Sequence, residues 1–263
     1  MFSGSINGII YKRLPINNFA YSWRKFIAAV YKKKLTKRYD NMDNKSSFNS
    51  DIYDDNIRRV IPYYDEIYNQ IIDLIQTYFE NKPVSLLDTG CGSGIMGIKA
   101  YEKLNISEMV LCDPSENMLD TAKAKLKDKQ CTFLNIGSEY LDFENQFNVV
   151  TAIQSHHYFD RKNRKTAVYN CYRALKPDGI FIYFENTAPF TETGIRIVKK
   201  RVENFGISNG RTQKEVTNHS SRYNKEYFPI TISEHIELLN KTGFKVSELF
   251  WHSYMQSGFY AVK

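Results

Sequence analysis

Two acids and a cluster of glycines carry the most specific chemistry in this 263-residue sequence. Asp88 stands two residues before Gly90-Cys91-Gly92-Ser93-Gly94, and Asp113 follows 25 positions later, ahead of Pro114 and Ser115. Each acid closes a short apolar run that reads as a β-strand, over residues 84–88 and 108–113. Glycines at such a place permit a tight strand-to-helix turn and let backbone approach a ligand closely. Residues 92–97, Gly-Ser-Gly-Ile-Met-Gly, also fit the GxGxxG pattern of dinucleotide sites. In a dinucleotide site this turn receives a pyrophosphate, which the Asp88 carboxylate would repel. A ligand bearing an ammonium and a sulfonium would favour a carboxylate there, and S-adenosyl-L-methionine (SAM) is such a ligand. Asp113 can accept from two ribose hydroxyls, because an ionised carboxylate has two acceptor oxygens.

The elements that must position these residues alternate. Apolar residues at helix spacing (Ile67, Ile71, Ile75, Phe79) predict a helix within 55–79, which Pro62 breaks or starts. Strands are then expected at 84–88, 108–113, 131–136, 147–153 and 180–185. Helices are expected between them at 95–104, 115–127 and 161–175. Ser115 is a plausible N-cap, and the Lys176-Pro177-Asp178-Gly179 turn is expected to end the third of these helices. A helix at 232–242 stops at Gly243, and residues 244–250 and 259–262 read as a final hairpin. The pattern predicts an α/β fold: a doubly wound, mostly parallel seven-stranded sheet with helices on both faces and a C-terminal antiparallel hairpin. Ligands of such sheets bind beyond the carboxyl ends of the strands. Residues 187–230 interrupt the alternation. A structureless loop of that length is unusual, so a helix near 195–202 and a lid-like role are expected for this insertion, with a passive surface insertion as the alternative.

Composition narrows the class. With 42% hydrophobic residues, 19 Tyr and 17 Phe, the chain can bury a sizeable core. No apolar run is long enough for a transmembrane helix. The four cysteines (91, 112, 131, 171) have no zinc or iron–sulfur spacing, and the five histidines form no HxxxH, so no metal site is expected. Reduced, buried thiols fit a cytoplasmic protein. The net charge of +7 is unevenly placed. Residues 1–41 hold nine basic side chains and one acid, whereas residues 42–263 hold 27 basic and 28 acidic ones. The composition change predicts a basic N-terminal extension at 1–41, dispensable or not native, ahead of one domain at 42–263. A basic arm for RNA or an anionic membrane, and an organelle-targeting segment, are the alternatives for that extension. The body has no basic excess to neutralise phosphates, so nucleic acid is not its expected partner.

The body resembles the class I SAM-dependent methyltransferases of small-molecule type. The likeness rests on Leu87-Asp88-Thr89-Gly90-Cys91-Gly92-Ser93-Gly94, on Cys112-Asp113-Pro114-Ser115 running into Met118-Leu119, on Phe147-Asn148-Val149-Val150, and on Leu175-Lys176-Pro177-Asp178-Gly179-Ile180. It covers about residues 50–263. The resemblance implies that Asp88 and Gly90, Cys91, Gly92 and Gly94 hold the methionine part of SAM. It implies that Asp113 holds the ribose and that Pro114 packs on the adenine. Where the family often has Gly-Asp after the third strand, this chain has Gly137-Ser138-Glu139, which leaves open whether Ser138 or Glu139 meets the adenine amine. Gln154 and the residues after it would border cofactor and acceptor.

Methyl transfer is an in-line displacement in which alignment and exclusion of water help. A hydroxyl or protonated amine acceptor also needs a base. His156 and His157 follow the fourth strand, with one of the two expected to face the pocket, and Glu185 ends the fifth. His252 is expected on the same face of the sheet, and His219 and His235 at the surface. The aromatic residues Tyr158, Tyr223, Trp251 and Tyr254 suggest an apolar or planar small acceptor, and Arg222 would meet an acidic one. Neither the Asn-Pro-Pro-Tyr of base-modifying relatives nor a Pro-Cys nucleophile is present. Methylation of a peptide, protein or RNA, and SAM binding without catalysis, remain as alternatives, and the oligomeric state is not legible.

Overall fold

The computed structural model describes residues 56–263; the expected extension at 1–41 and the domain start at 42 lie outside the described residues. Helix α1 (Tyr64–Phe79) turns Ile67, Ile71 and Ile75 inward, and all three are fully buried. The helix expected within 55–79 begins only at Tyr64. Pro62 cannot donate the amide hydrogen of a continuing helix, and Tyr63 is left-handed with φ 58°.

Strands and helices then alternate as β1 (Val84–Thr89), α2 (Ile95–Lys103), β2 (Ile106–Cys112), α3 (Glu116–Lys125), β3 (Thr132–Leu134), β4 (Phe147–Ile153), α4 (Arg161–Ala174) and β5 (Leu175–Ala188). Ser115 caps α3 as expected, its hydroxyl accepting from the Met118 amide at 3.3 Å. After the insertion come β6 (Ile230–Thr231), α7 (Ile232–Thr242), β7 (Val246–Ser253) and β8 (Gln256–Val262). The sheet runs β3-β2-β1-β4-β5-β8-β7, and the two-residue β6 pairs with the end of β5. Strands β1 to β5 are parallel, and β8 is antiparallel to both its neighbours. This is the expected seven-strand sheet with its final hairpin. The strand order reverses between β1 and β4, the place where open α/β sheets form a crevice.

One face of the sheet (Leu86, Met109, Leu111, Val149, Ile180, Ile182) shares a core with α1, with Met96 and Ala100 of α2, and with Leu119 of α3. On the other face Phe181 stacks on Phe244 at 5.9 Å, and α4 and α7 bury Ala167, Val168, Cys171 and Leu239. The Lys176–Gly179 stretch does not separate helix from strand as expected. It lies within β5 as a bulge: Leu175 to Ile180 stand opposite Phe147 to Val149, and Asp178 is left-handed with φ 58°.

The insertion folds into two helices, α5 (Glu192–Ser208) and α6 (Gln213–Ser221). Thr191 caps α5 through the Gly194 amide, and Thr212 and Glu215 form a capping box on α6. Arg59 donates to the carbonyls of Asn209 and Gly210, tying the α5–α6 link to the segment before α1. Among the described residues no helix is long and apolar enough to cross a membrane. None of their His, Cys, Asp and Glu residues form a group that could hold a metal. The four cysteines are free thiols, three of them buried.

His235, expected at the surface, is buried on α7 between Tyr183 and Phe259, with ring centroids 5.1 and 4.9 Å away. Helix spacing puts it on the same side as Leu239, and that side faces the sheet. Neither ring nitrogen has a hydrogen-bond partner, and burial draws its pKa down to about 3, so the ring is neutral. A buried polar ring without partners costs about 1–3 kcal/mol. His235→Leu is therefore expected to raise the urea midpoint and the melting temperature at pH 7.5. A lower midpoint would mean that buried water satisfies the ring.

Candidate active site

The turn after β1 is held by close packing. Gly90 has φ 66°, and a Cβ there would come within 2.5 Å of the Ser155 Cβ, so this turn abuts the one that follows β4. Asp88, at the end of β1, is buried. One of its oxygens accepts from the Thr151 hydroxyl at 2.7 Å, and no cationic side chain faces it among the described residues. Burial pushes its pKa up to about 7; the Thr151 hydrogen bond opposes that rise and the nearby Asp113 charge adds to it. Asp113 is also buried, and burial raises its pKa although two amides donate to it. Its oxygens accept from the Gly92 amide at 2.9 Å and the Ser115 amide at 2.8 Å. Asp113 thus ties the two βα turns together and keeps one lone pair on each oxygen for a ligand. Asn135, not singled out from the sequence, pins this turn by donating to the carbonyls of Asp113 and Pro114. Cys91 is buried and Pro114 half-buried beside these acids. The amides of Cys91, Gly92 and Gly94 are taken up by Cys112, Asp113 and Cys91, so the turn offers two buried carboxyl groups rather than free N–H donors, which suits a cationic ligand rather than a phosphate.

Ser138 lies beneath the turn with its hydroxyl engaged by Thr89 at 2.7 Å and by the His156 Nε2 at 2.9 Å. Glu139, next along, is half-buried. Of the two residues left open for the adenine amine, Glu139 is the one whose side chain is not built into the core.

The turn after β4 is organised by Glu185. Its carboxylate is fully buried and accepts from the amides of Ser155 (3.3 Å), His156 (2.8 Å) and His157 (2.8 Å), and from the His157 Nδ1 (2.7 Å). Burial alone would raise its pKa, but the adjacent His157 and the other donors outweigh that, and the net direction is downward. Glu185 is thus held ionised as an organiser, not poised to take protons. Because the carboxylate can only accept, His157 must carry its proton on Nδ1. Its Nε2 then carries the ring's lone pair. Gln154 precedes the turn in a left-handed conformation, φ 53°, and its Nε2 is buried without a hydrogen-bond partner.

The two histidines follow the end of β4 in a 3₁₀ turn (His156–Tyr158) that sends them to opposite sides. His157 lines the cavity described below. His156 points into the core between Phe159, Phe181 and Tyr183, and burial draws its pKa down to about 4. It does not reach the cavity. Arg164, also missed, is buried and closes this turn from below by donating to the carbonyls of His156 and Phe159.

Beyond the ends of β4 and β5 lies a cleft that opens to solvent at its mouth. Gln154, His157 and Tyr158 line it after β4, Asn186 at β5, Lys199 and Val202 from α5, His219, Arg222 and Tyr227 from the α6 region, and Met255 and Gln256 from the β7–β8 turn. Tyr158 and Arg222, expected to border the acceptor, are thus both in the lining. Tyr223, Trp251 and Tyr254 are not in the lining. Tyr223 packs behind Tyr227 at 5.8 Å, Trp251 against Phe184 at 5.4 Å, and Tyr254 against Phe205 at 5.8 Å. The left-handed Tyr254 (φ 56°) reverses the hairpin, so its successors Met255 and Gln256 turn inward instead. His252 bonds Ser257 at 2.8 Å and is not in the lining either. His219, expected at the surface, lines the cleft, and burial with the charges of Arg211 and Arg222 draws its pKa to about 4. The spacing of the insertion gave no sign of this, because which side of α6 faces the cleft depends on how α5 packs.

The sequence pattern of a family described as a methyltransferase domain matches residues 86–179. The carboxy-S-adenosyl-L-methionine synthase of Nautilia profundicola is 23% identical over 221 residues, 84% of this chain and 92% of that protein. The magnesium protoporphyrin IX methyltransferase of Synechocystis, solved with bound S-adenosylhomocysteine (SAH), superposes with a TM-score of 0.57 at 14% identity, covering 93% of this chain and 99% of that one. The 1,6-didemethyltoxoflavin-N1-methyltransferase of Burkholderia thailandensis superposes with a TM-score of 0.52 at 14% identity, covering 97% and 93%.

Asp88 generates a test that needs no ligand. A folded-state pKa of about 7, above the ordinary 3.8, means that the folded protein holds this proton more tightly than the unfolded chain. The group's contribution to stability therefore falls as pH rises from about 4 and is fully lost above about 7. Asp88→Asn is expected to raise the melting temperature at pH 8, by up to about 4 kcal/mol of stability, with the gain vanishing towards pH 4. Parallel melts across that range check it; a gain that does not change with pH would contradict the burial argument.

Proposed function

We propose that this chain, which belongs to the class I SAM-dependent methyltransferases, transfers a methyl group to an oxygen, nitrogen or sulfur nucleophile of a small molecule held beyond β4 and β5. The observation that carries this reading is the His157–Glu185 pair, 2.7 Å apart, with His157 on the wall of a cleft that Gln154 also lines, next to Ser155, which packs against Gly90 of the Asp88 turn.

The residues at the turn fit SAM. Asp88 is a buried carboxylate without a cation, and the Gln154 Nε2 is a buried donor without an acceptor. Asp88 and the Gly90, Cys91, Gly92 and Gly94 backbone would hold the methionine end. Asp113 would hold the ribose hydroxyls, and Pro114 and Glu139 would border the adenine. When bound, SAM supplies an electrophilic methyl on a sulfonium. The chain's own contribution is to align, to exclude water and to take a proton. His157 Nε2 accepts the proton of the acceptor's hydroxyl, amine or thiol, and Glu185 stabilises the resulting imidazolium while fixing the ring's tautomer. The apolar wall of Ile57, Val60, Ile61, Val202 and Met255 keeps the site poor in water.

A second reading takes the name of the N. profundicola relative at its word: the product would be a carboxylated SAM. The match along 84% of this chain favours it. One incubation separates the two. The protein, SAM labelled in its methyl group and a cell extract are mixed, and the products are analysed by mass spectrometry. A labelled small molecule together with SAH is the expected outcome. Label in peptide or RNA, or a carboxyl-bearing SAM without SAH, would overturn the proposal. His157→Gln is expected to lower kcat about 10²–10⁴-fold with little change in SAH affinity. SAH at 100 times its Kd should stabilise the wild type by roughly 2.7 kcal/mol, and Asp113→Ala should lose most of that shift in a thermal melt.

A further inference from the structure

We propose that the small molecule accepted in the cleft is an organic acid, held by its carboxylate between Lys199 and Arg222 while its nucleophile faces His157. The inference rests on the methyltransferase reading and narrows its substrate class.

Among the described residues lining the cleft there is no Asp or Glu, and there are two permanent cations, Lys199 from α5 and Arg222 from the end of α6. Lys199 is half-buried, with its ammonium 4.1 Å from the Tyr223 ring centroid, and has no carboxylate partner. Arg222 directs its Nε to Glu226 at 2.6 Å, but that carboxylate is 56% exposed whereas the Arg222 side chain is 12% exposed. The pairing leans outward into water, where it is screened, and the guanidinium stays at the cleft beside the Tyr158 hydroxyl. Glu185, the acid paired with the base, is fully buried, and its oxygens are taken up by four N–H donors.

The crevice is therefore split by charge. Asp88 and Asp113 give its β1–β2 side a negative lining without cations, and Lys199 and Arg222 give the cleft a positive one without acids. A cationic ligand on the acidic side adds positive charge next to the two cations. An uncharged or cationic acceptor leaves that repulsion standing, whereas an anion set between them offsets it. Arg222 and Lys199 also bring N–H donors that match carboxylate oxygens. The rest of the lining specifies the body of the molecule. Ile57, Val60, Ile61, Val202 and Met255 form an aliphatic wall, and Tyr158 and Tyr227 add rings, so the carboxylate belongs to a compact apolar or aromatic skeleton. Both cations lie on the helical insertion, which thus carries the recognition of the acid, while the base comes from the sheet.

The test uses the full chain saturated with SAH and matched phenols: 3- and 4-hydroxybenzoate and 4-hydroxyphenylacetate, the corresponding amides, and tyramine. SAH binding is measured first by calorimetry. If SAH does not bind, the methyltransferase reading fails and this inference falls with it. If SAH binds, at least one acid is expected to bind tenfold or more tightly than its amide, with tyramine weakest. Lys199→Gln, on a largely exposed helix, should cut that acid-over-amide ratio at least fivefold while SAH affinity stays within twofold; Arg222→Gln should do the same. Acids binding no better than amides, no phenol binding at all, or a ratio unchanged in Lys199→Gln would each overturn the organic-acid proposal and leave the cofactor reading standing.

Discussion

A carboxylate shut away from water must be matched by donors, and in this protein the match shapes everything around it. Glu185 sits in the last third of β5 with no exposure and gathers three successive backbone amides and one imidazole N–H. The cost of dehydrating the charge is met only if residues 155–157 curl around it, so the turn after β4 has one conformation available. That conformation sets the direction of both histidines, fixes which nitrogen of His157 carries the proton, and brings Ser155 against Gly90. The turn after β1 and the turn after β4 are consequently a single packed unit. Arg164 closes the same unit from below through the carbonyls the turn exposes.

The sheet order explains why this unit can be a site at all. Neighbouring β1 and β4 send their chains to opposite faces, which leaves a crevice over their carboxyl ends. The acids of the β1 and β2 ends make one wall. The insertion after β5 makes the other, and its two helices contribute the cations. Asp88 faces no cation and Lys199 no carboxylate among the described residues, whereas Arg222 is paired with the exposed Glu226. A buried charge without a partner of the other sign costs folding stability.

Other buried polar groups have a different origin. His156 is tied to Ser138 and stacked among aromatic rings, so it serves as part of the packing between sheet and α4. His235 makes no hydrogen bond at all. A histidine found in a crevice-forming fold is thus no guide to chemistry until its ring nitrogens are traced.

Much of the architecture was legible from residue order. Periods of two and near four residues, a serine before α3, and glycines flanked by acids are local signals. They sufficed to place five parallel strands, the final hairpin, the Asp88 and Asp113 turns, and a helix in the insertion. What the sequence could not assign was any property decided by a partner distant along the chain. Which of His156 and His157 meets the cleft is set by Glu185, some 28 residues on. The burial of His219 and His235, the withdrawal of Tyr223, Trp251 and Tyr254, and the approach of Lys199 all depend on how the insertion and the hairpin pack over the sheet. Local pattern determines which element a residue belongs to, because backbone geometry repeats over a few residues. Only the tertiary fold decides which way a turn residue points, because there the direction follows from satisfying buried charge and filling space.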